Sequence, residues 1–160
     1  MLRGMQIRPL EAADGPSCDA IIASLPYHFG QPEGVRMCAD AVRSSQGLVA
    51  VQDDEVVGFL TVEPHFDRAA EITWMAVRAD RRRRGIGRAL VDRLCEQLRA
   101  EGRTLLVVLT VSPSDDEEAE PDDGYQTTRT FYESAGFVLA RDLDGLWDGD
   151  IPVLMAKWLG

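Results

Sequence analysis

The chain has 160 residues, 45% of them apolar, and a formal net charge of −10. That length suits one domain around one core, so residues 1–160 are expected to form a single unit. The charge argues against a nucleic-acid binder, and the lack of an apolar run of 18 residues argues against a membrane-spanning helix.

Met1–Gln6 has no apolar stretch of the signal-peptide kind. Cys18, Cys38 and Cys95 are widely spaced, form no CxxC pair and fall in apolar helical patterns, which reads as reduced core thiols. A cytoplasmic location follows as an expectation.

In chain order, Gln6–Leu10 reads as a short strand. A helix is expected from an Asp14 N-cap through Ala23, ended by Pro26, because Cys18, Ile21, Ile22 and Leu25 recur at helical spacing. Pro32 opens a second helix to about Ser44. Leu48–Val51 and Val56–Glu63 flank the polar turn Gln52–Glu55 and so form a hairpin. Ala70–Val77 is a third strand of this group. Gly85–Glu101 is the clearest helix, with Ile86, Leu90, Leu94 and Leu98 on one stripe and Gly102 as its C-cap. Thr104–Val111 is continuously apolar and reads as a buried strand. Gly124–Ala135 is a helix closed by Gly136. Phe137–Arg141 and Val153–Trp158 read as final strands. The order β-α-α-β-β-β-α-β-α-β-β implies an α/β fold with a mixed sheet.

Seven acids and no base lie between Asp115 and Asp123, so most of the net charge sits in one segment. The stretch Ser112–Gly124 is too polar to pack and is expected to be a mobile loop.

Arg81-Arg82-Arg83-Arg84-Gly85-Ile86-Gly87-Arg88 stands between a strand and the best helix. A helix start offers unpaired N–H groups and the positive end of the dipole. Glycines allow close backbone approach, and arginines add charge and forked donors. These ingredients suit a pyrophosphate. A dinucleotide fingerprint fits poorly, since the third glycine is missing and Thr104–Val111 supplies no acid for a ribose. A nucleic-acid patch conflicts with the net charge, and a solvated basic helix start is the plain alternative.

Arg82–Gly87, Ala70–Val77 and Phe131–Phe137 together resemble the GNAT superfamily of acyl-CoA-dependent N-acyltransferases, and His65-Phe66 before Ala70-Glu71, Tyr125-Gln126-Thr127-Thr128-Arg129 and Trp147 before Ile151-Pro152 resemble a bacterial subgroup of it. Arg82-Arg83-Arg84-Gly85-Ile86-Gly87 matches the superfamily's Arg/Gln-x-x-Gly-x-Gly/Ala motif. Ala70–Val77 is similar to its fourth strand, and Phe131-Tyr132-Glu133-Ser134-Ala135-Gly136-Phe137 to its Phe-Tyr-x-x-x-Gly-Phe motif. The resemblance implies a mostly antiparallel sheet, flanked by helices, that splays between Ala70–Val77 and Thr104–Val111. It implies acetyl-CoA as cosubstrate without a metal. Pantetheine would pair with the backbone of Met75, Ala76 and Val77, and the amides of Arg83, Arg84, Gly85, Ile86, Gly87 and Arg88 would hold the pyrophosphate beside Arg82.

Acyl transfer to nitrogen needs a neutral amine, an oxyanion donor and a protonated leaving sulfur. The resemblance implies Glu71 as base, acting directly or through water, with His65 as the rival, and Tyr132 as acid. The Met75 or Val77 N–H would be the oxyanion donor. Glu71 as a strand residue and Tyr132 as core packing are the structural alternatives. The chain departs from the family at Tyr125, where many members carry an asparagine against pantetheine; Arg129 is a candidate replacement. Trp74 and Trp147 either line an acceptor pocket or belong to the core.

The expected activity is acetyl transfer to a primary amine of a small molecule or peptide, in a ternary complex. A cationic acceptor fits the acidic loop, which alternatively only solubilises. Neither nucleic acid nor membrane is an expected partner, and a homodimer is left open. A catalytically inactive CoA-binding sensor is the alternative function; it would need neither Glu71 nor Tyr132.

Overall fold

The computed structural model describes residues 4–25, 31–112 and 124–160. The acidic segment Asp115–Asp123, and Pro26 as a helix end, lie outside them. The elements are β1 (Gln6–Pro9), α1 (Gly15–Ala23), α2 (Pro32–Ser44), β2 (Gln46–Gln52), β3 (Glu55–His65) and β4 (Ala69–Val77), then α3 (Ile86–Ala100), β5 (Leu105–Val111), α4 (Gly124–Ser134), β6 (Val138–Asp142) and β7 (Pro152–Trp158). The order is the expected one. One seven-stranded sheet runs β1-β2-β3-β4-β5-β7-β6. Among the described residues only β4 and β5 pair in parallel.

Alternation along the strands sorts the core into two layers. Leu48, Ala50 and Leu60 face the stripe Leu90, Leu94 and Leu98 of α3, with Tyr132 and Phe137 from the α4 region. Val49 and Phe59 face the other way and pack with Cys18, Ile21, Cys38 and Val42 of α1 and α2. All three cysteines are buried and unbridged. Burial pushes the Cys18 and Cys38 thiols up to about 12, and raises Cys95 as well.

The tight turns follow their local chemistry. Asp53 and Asp54 both adopt positive φ, 53° and 61°, which two-residue hairpin turns require. Gly102 takes φ 81° behind α3, and Arg103 N–H closes back on Leu98 O.

Two expectations need correction. Asp14 stands at the N-cap of α1 but makes no capping bond to it. Its carboxylate instead accepts the Glu11 N–H and both arms of Arg8, each at 2.8 Å, because the chain makes a 3-10 turn there before α1 begins. The Arg8 hydrogen bonds hold Asp14 below the usual carboxylate range. Nor is β5 buried on both faces. Leu106, Val108 and Thr110 are buried, whereas Leu105, Val107, Leu109 and Val111 are half-buried.

Candidate active site

The sheet opens between β4 and β5. Their pairing covers four positions, Ala69↔Leu105 to Ile72↔Val108, and then stops, although β4 runs to Val77 and β5 to Val111. The cause lies in β4. Its register against β3 passes from Trp74↔Thr61 to Ile72↔Val62, so Thr73 is an extra residue, a bulge. A bulge bends and twists its strand, and here it stands at the first position after pairing ends. Thr73 Oγ1 lies 2.7 Å from Thr61 Oγ1, which pins the bulge to β3. The expected splay is therefore present, and the bulge accounts for it.

The walls of this V can be read group by group. Arg78 N–H donates to Val57 O at 2.8 Å, so Arg78 faces β3. Alternation turns Ala76 toward β3 as well, and turns the N–H groups of Met75 and Val77 toward the V. Of Met75, Ala76 and Val77, the first and last thus turn their amides to the V and the middle one turns its amide to β3. The Ala76 side chain is buried in the α1/α2 layer instead. On the opposite wall, Ser112 N–H pairs with Ile151 O, which by the same alternation turns Leu109 and Val111 to the V. Arg129, 5% exposed, donates to Val111 O at 2.7 Å. That bond satisfies a carbonyl of β5 on the side turned away from β7.

At the rim, Arg83 and Gly85 take positive φ, 62° and 81°, and fold the chain into the start of α3. The first helical bond is Ala89 N–H to Gly85 O. The preceding amides, Ile86, Gly87 and Arg88, have no acceptor inside the helix. Arg82, Arg83 and Arg84 are exposed. Arg88 is tied to Asp92 and to Ser134 O, so its side chain braces α3 against the end of α4. Gly87 has a packing role: a Cβ there would lie 3.0 Å from Met75 Cε and 3.2 Å from Phe131 Cζ.

Tyr132 reaches the same place from α4. It is 5% exposed, and its ring makes edge contacts with Phe131 and Phe137 at centroid distances of 5.1 and 5.2 Å. Its hydroxyl donates to Met75 Sδ at 3.8 Å. Burial raises the phenol well above its ordinary range, so it keeps its proton. The ring is thus core packing, while the hydroxyl touches the Met75 side chain.

Glu71 precedes the bulge by two residues, at the closed end of the V. Its Oε1 lies 2.8 Å from His65 Nε2. The two candidate bases are therefore hydrogen-bonded partners, and this pairing was missed by reading the sequence. The signal was the β3–β4 register, which sets His65 opposite Ala69 and Glu63 opposite Glu71. Trp74 packs on the α1/α2 layer, whereas Trp147 is 41% exposed after β6. Among the described residues no group of His, Cys, Asp or Glu could hold a metal, and no helix is long and apolar enough to cross a membrane.

No protein of curated function matches this chain by sequence. Solved structures share its fold. A putative GNAT-family acetyltransferase from Desulfovibrio desulfuricans is 22% identical, with a TM-score of 0.83 over 98% of this chain and 99% of that one. The ribosomal-protein-S18-alanine N-acetyltransferase from Escherichia coli is 20% identical, with a TM-score of 0.75 over 98% and 94%. The PaiA N-acetyltransferase from Thermoplasma acidophilum, solved in complex with coenzyme A, is 16% identical, with a TM-score of 0.73 over 96% and 98%. The family model described as acetyltransferase (GNAT) domain matches residues 43–139, which contain the bulge, the V, the glycine turn and Tyr132. The chain belongs to the GNAT acetyltransferase family.

Proposed function

We propose that this protein transfers an acetyl group from acetyl-CoA to a primary amine by direct attack within a ternary complex. The observation that carries this reading is the V itself: two backbone N–H groups, Met75 and Val77, face it, with the Tyr132 phenol at Met75. Backbone donors in a cleft need partners, and pantetheine, which carries amides, can supply them. Its pyrophosphate would rest on the amides from Arg83 to Arg88, with the exposed guanidinium groups of Arg82, Arg83 and Arg84 around it. The neighbour solved with coenzyme A supports the same ligand.

The amine nitrogen attacks the thioester carbonyl after losing a proton to Glu71, directly or through water. The C–N bond forms, and the oxyanion is held by the Met75 or Val77 N–H. The C–S bond then breaks as Tyr132 donates its proton to the leaving sulfur; the nitrogen sheds its second proton to solvent on becoming an amide, and solvent returns one to the phenolate. A covalent acyl-enzyme finds no support in the thiols, which burial keeps protonated. The acceptor is an amine on a small molecule or a peptide. A cationic one fits the carboxylates Glu63 and Glu71, which share a sheet face, and the acidic segment that follows β5.

The test is CoA release in the presence of a panel of amines, polyamines and peptide N-termini, with product mass measured. Amine-dependent release with an acetylated product is expected. Binding of acetyl-CoA with no release for any amine would favour the sensor reading.

A further inference from the structure

We infer that His65 is a positioning residue for Glu71, which holds one carboxylate oxygen so that the other meets the acceptor amine. This rests on the acetyl-transfer reading above. The contact is His65 Nε2 to Glu71 Oε1 at 2.8 Å, from the last residue of β3 to the third of β4. An ionised carboxylate only accepts hydrogen bonds, so in that state the imidazole donates through Nε2–H.

The geometry around the pair favours this division of labour. Glu63, His65 and Glu71 share one sheet face, because Glu63 is opposite Glu71 and His65 is two residues beyond Glu63 on the same strand. On the other side of Glu71 stands Val107, which is apolar and half-buried. A free glutamate here could swing toward solvent along the edge of Val107. The His65 contact removes that freedom and leaves Oε2 as the oxygen free to take a proton. His65 is itself anchored near a turn whose backbone is held: Arg103 donates to Phe66 O and Ala69 O at 3.1 and 2.8 Å. Orientation of this kind lowers the entropy cost of reaching the reactive geometry.

The chemical step is balanced without another reactant. The ammonium gives one proton to Glu71 Oε2, which yields a neutral amine and a carboxylic acid. As the C–S bond breaks, Tyr132 protonates the sulfur, the nitrogen sheds its second proton to solvent, solvent re-protonates the phenolate, and the carboxylic acid returns the first proton to solvent. His65 makes no bond to substrate; its effect is carried through Glu71.

The experiment compares His65→Ala, His65→Gln, Glu71→Gln, Glu63→Gln and the double variant His65→Ala/Glu71→Gln, each checked for acetyl-CoA binding by thermal shift. A glutamine amide can donate from about the position of Nε2, so His65→Gln should retain kcat within about threefold. His65→Ala should lower kcat about 10–100-fold, within the range of general-base effects, with KM for acetyl-CoA unchanged. The double variant should be no slower than Glu71→Gln, as expected for groups acting as a unit. Equal losses in His65→Ala and His65→Gln would make the imidazole itself the base and overturn the inference. Multiplying losses in the double variant, or full kcat in His65→Ala, would overturn it too. A loss in Glu63→Gln equal to that in Glu71→Gln would move the base and overturn it. No transfer by the wild-type protein would refute the acetyl-transfer reading, a result distinct from all of these.

Discussion

Removing the Tyr132 hydroxyl separates its packing role from its chemistry. Tyr132→Phe leaves the ring contacts to Phe131 and Phe137 intact. The lost hydrogen bond is a long one, 3.8 Å, to a thioether, which is a weak acceptor. An ordinary hydrogen bond nets about 0.5–1.5 kcal/mol, and this one lies below that range. The substitution also removes a buried hydroxyl, so stability should change by less than about 0.5 kcal/mol, or about 2 °C in Tm. The rate should respond far more. Loss of a general acid costs about 10–1000-fold in kcat, or about 1.4–4 kcal/mol of transition-state free energy. Tyr132→Ala is the wrong comparison, because emptying this core site would cost about 3–5 kcal/mol of stability. Thermal melts and steady-state kinetics on the same Tyr132→Phe sample decide the matter. Wild-type kcat with an unchanged Tm would refute the acid role, and an unfolded Tyr132→Phe would refute the packing argument.

Four further outcomes are expected. Acetyl-CoA should raise Tm by mass action without added metal; Arg83→Glu with Arg84→Glu should weaken that rise, as should Gly87→Glu, and an unchanged shift in all would displace the anion site. Initial-rate plots against both substrates should intersect, whereas parallel lines or an acylated cysteine seen by mass spectrometry would contradict direct transfer. Stability should fall as pH rises above about 9: the Cys18 and Cys38 thiols, pushed up to about 12 in the folded chain, ionise first in the unfolded one. Each should contribute about 1.4 kcal/mol per pH unit there, and a Cys18→Ala/Cys38→Ala variant with an unchanged alkaline slope in urea denaturation would refute this. For a cationic amine, kcat/KM should fall as salt shortens the Debye length from about 30 Å at 0.01 M to about 8 Å at 0.15 M; an identical salt profile after replacement of the seven acids by Ser or Asn would leave that segment only a solvated connector.

The element order was legible because the periodic stretches are long and punctuated: α3 carries a full apolar stripe and Gly102, and α2 opens on Pro32. The glycine turn and Tyr132 were legible as motifs. What escaped reading depends on contacts across strands. The apolar run of β5 gives no sign that Leu105, Val107, Leu109 and Val111 are only half-buried, since composition alone does not count layers. The bulge at Thr73 is set by register, and Thr73 looks like any strand threonine. The same register decides that Ala76 turns away from the V while Met75 and Val77 turn into it. Asp14 carried a sound helix-start signal, but Arg8 and the Glu11 N–H took its carboxylate.

The most direct test of the account is which backbone amides respond when acetyl-CoA is added to the ¹⁵N-labelled protein. The V and the glycine turn together require large NMR shift changes at Met75 and Val77 and across Gly85 to Arg88. The amide of Ala76, turned to β3, should move much less. That alternating pattern along β4 is the predicted result. Perturbations that spare β4, or that fall on Ala76 rather than on Met75 and Val77, would contradict the placement of acetyl-CoA in the V.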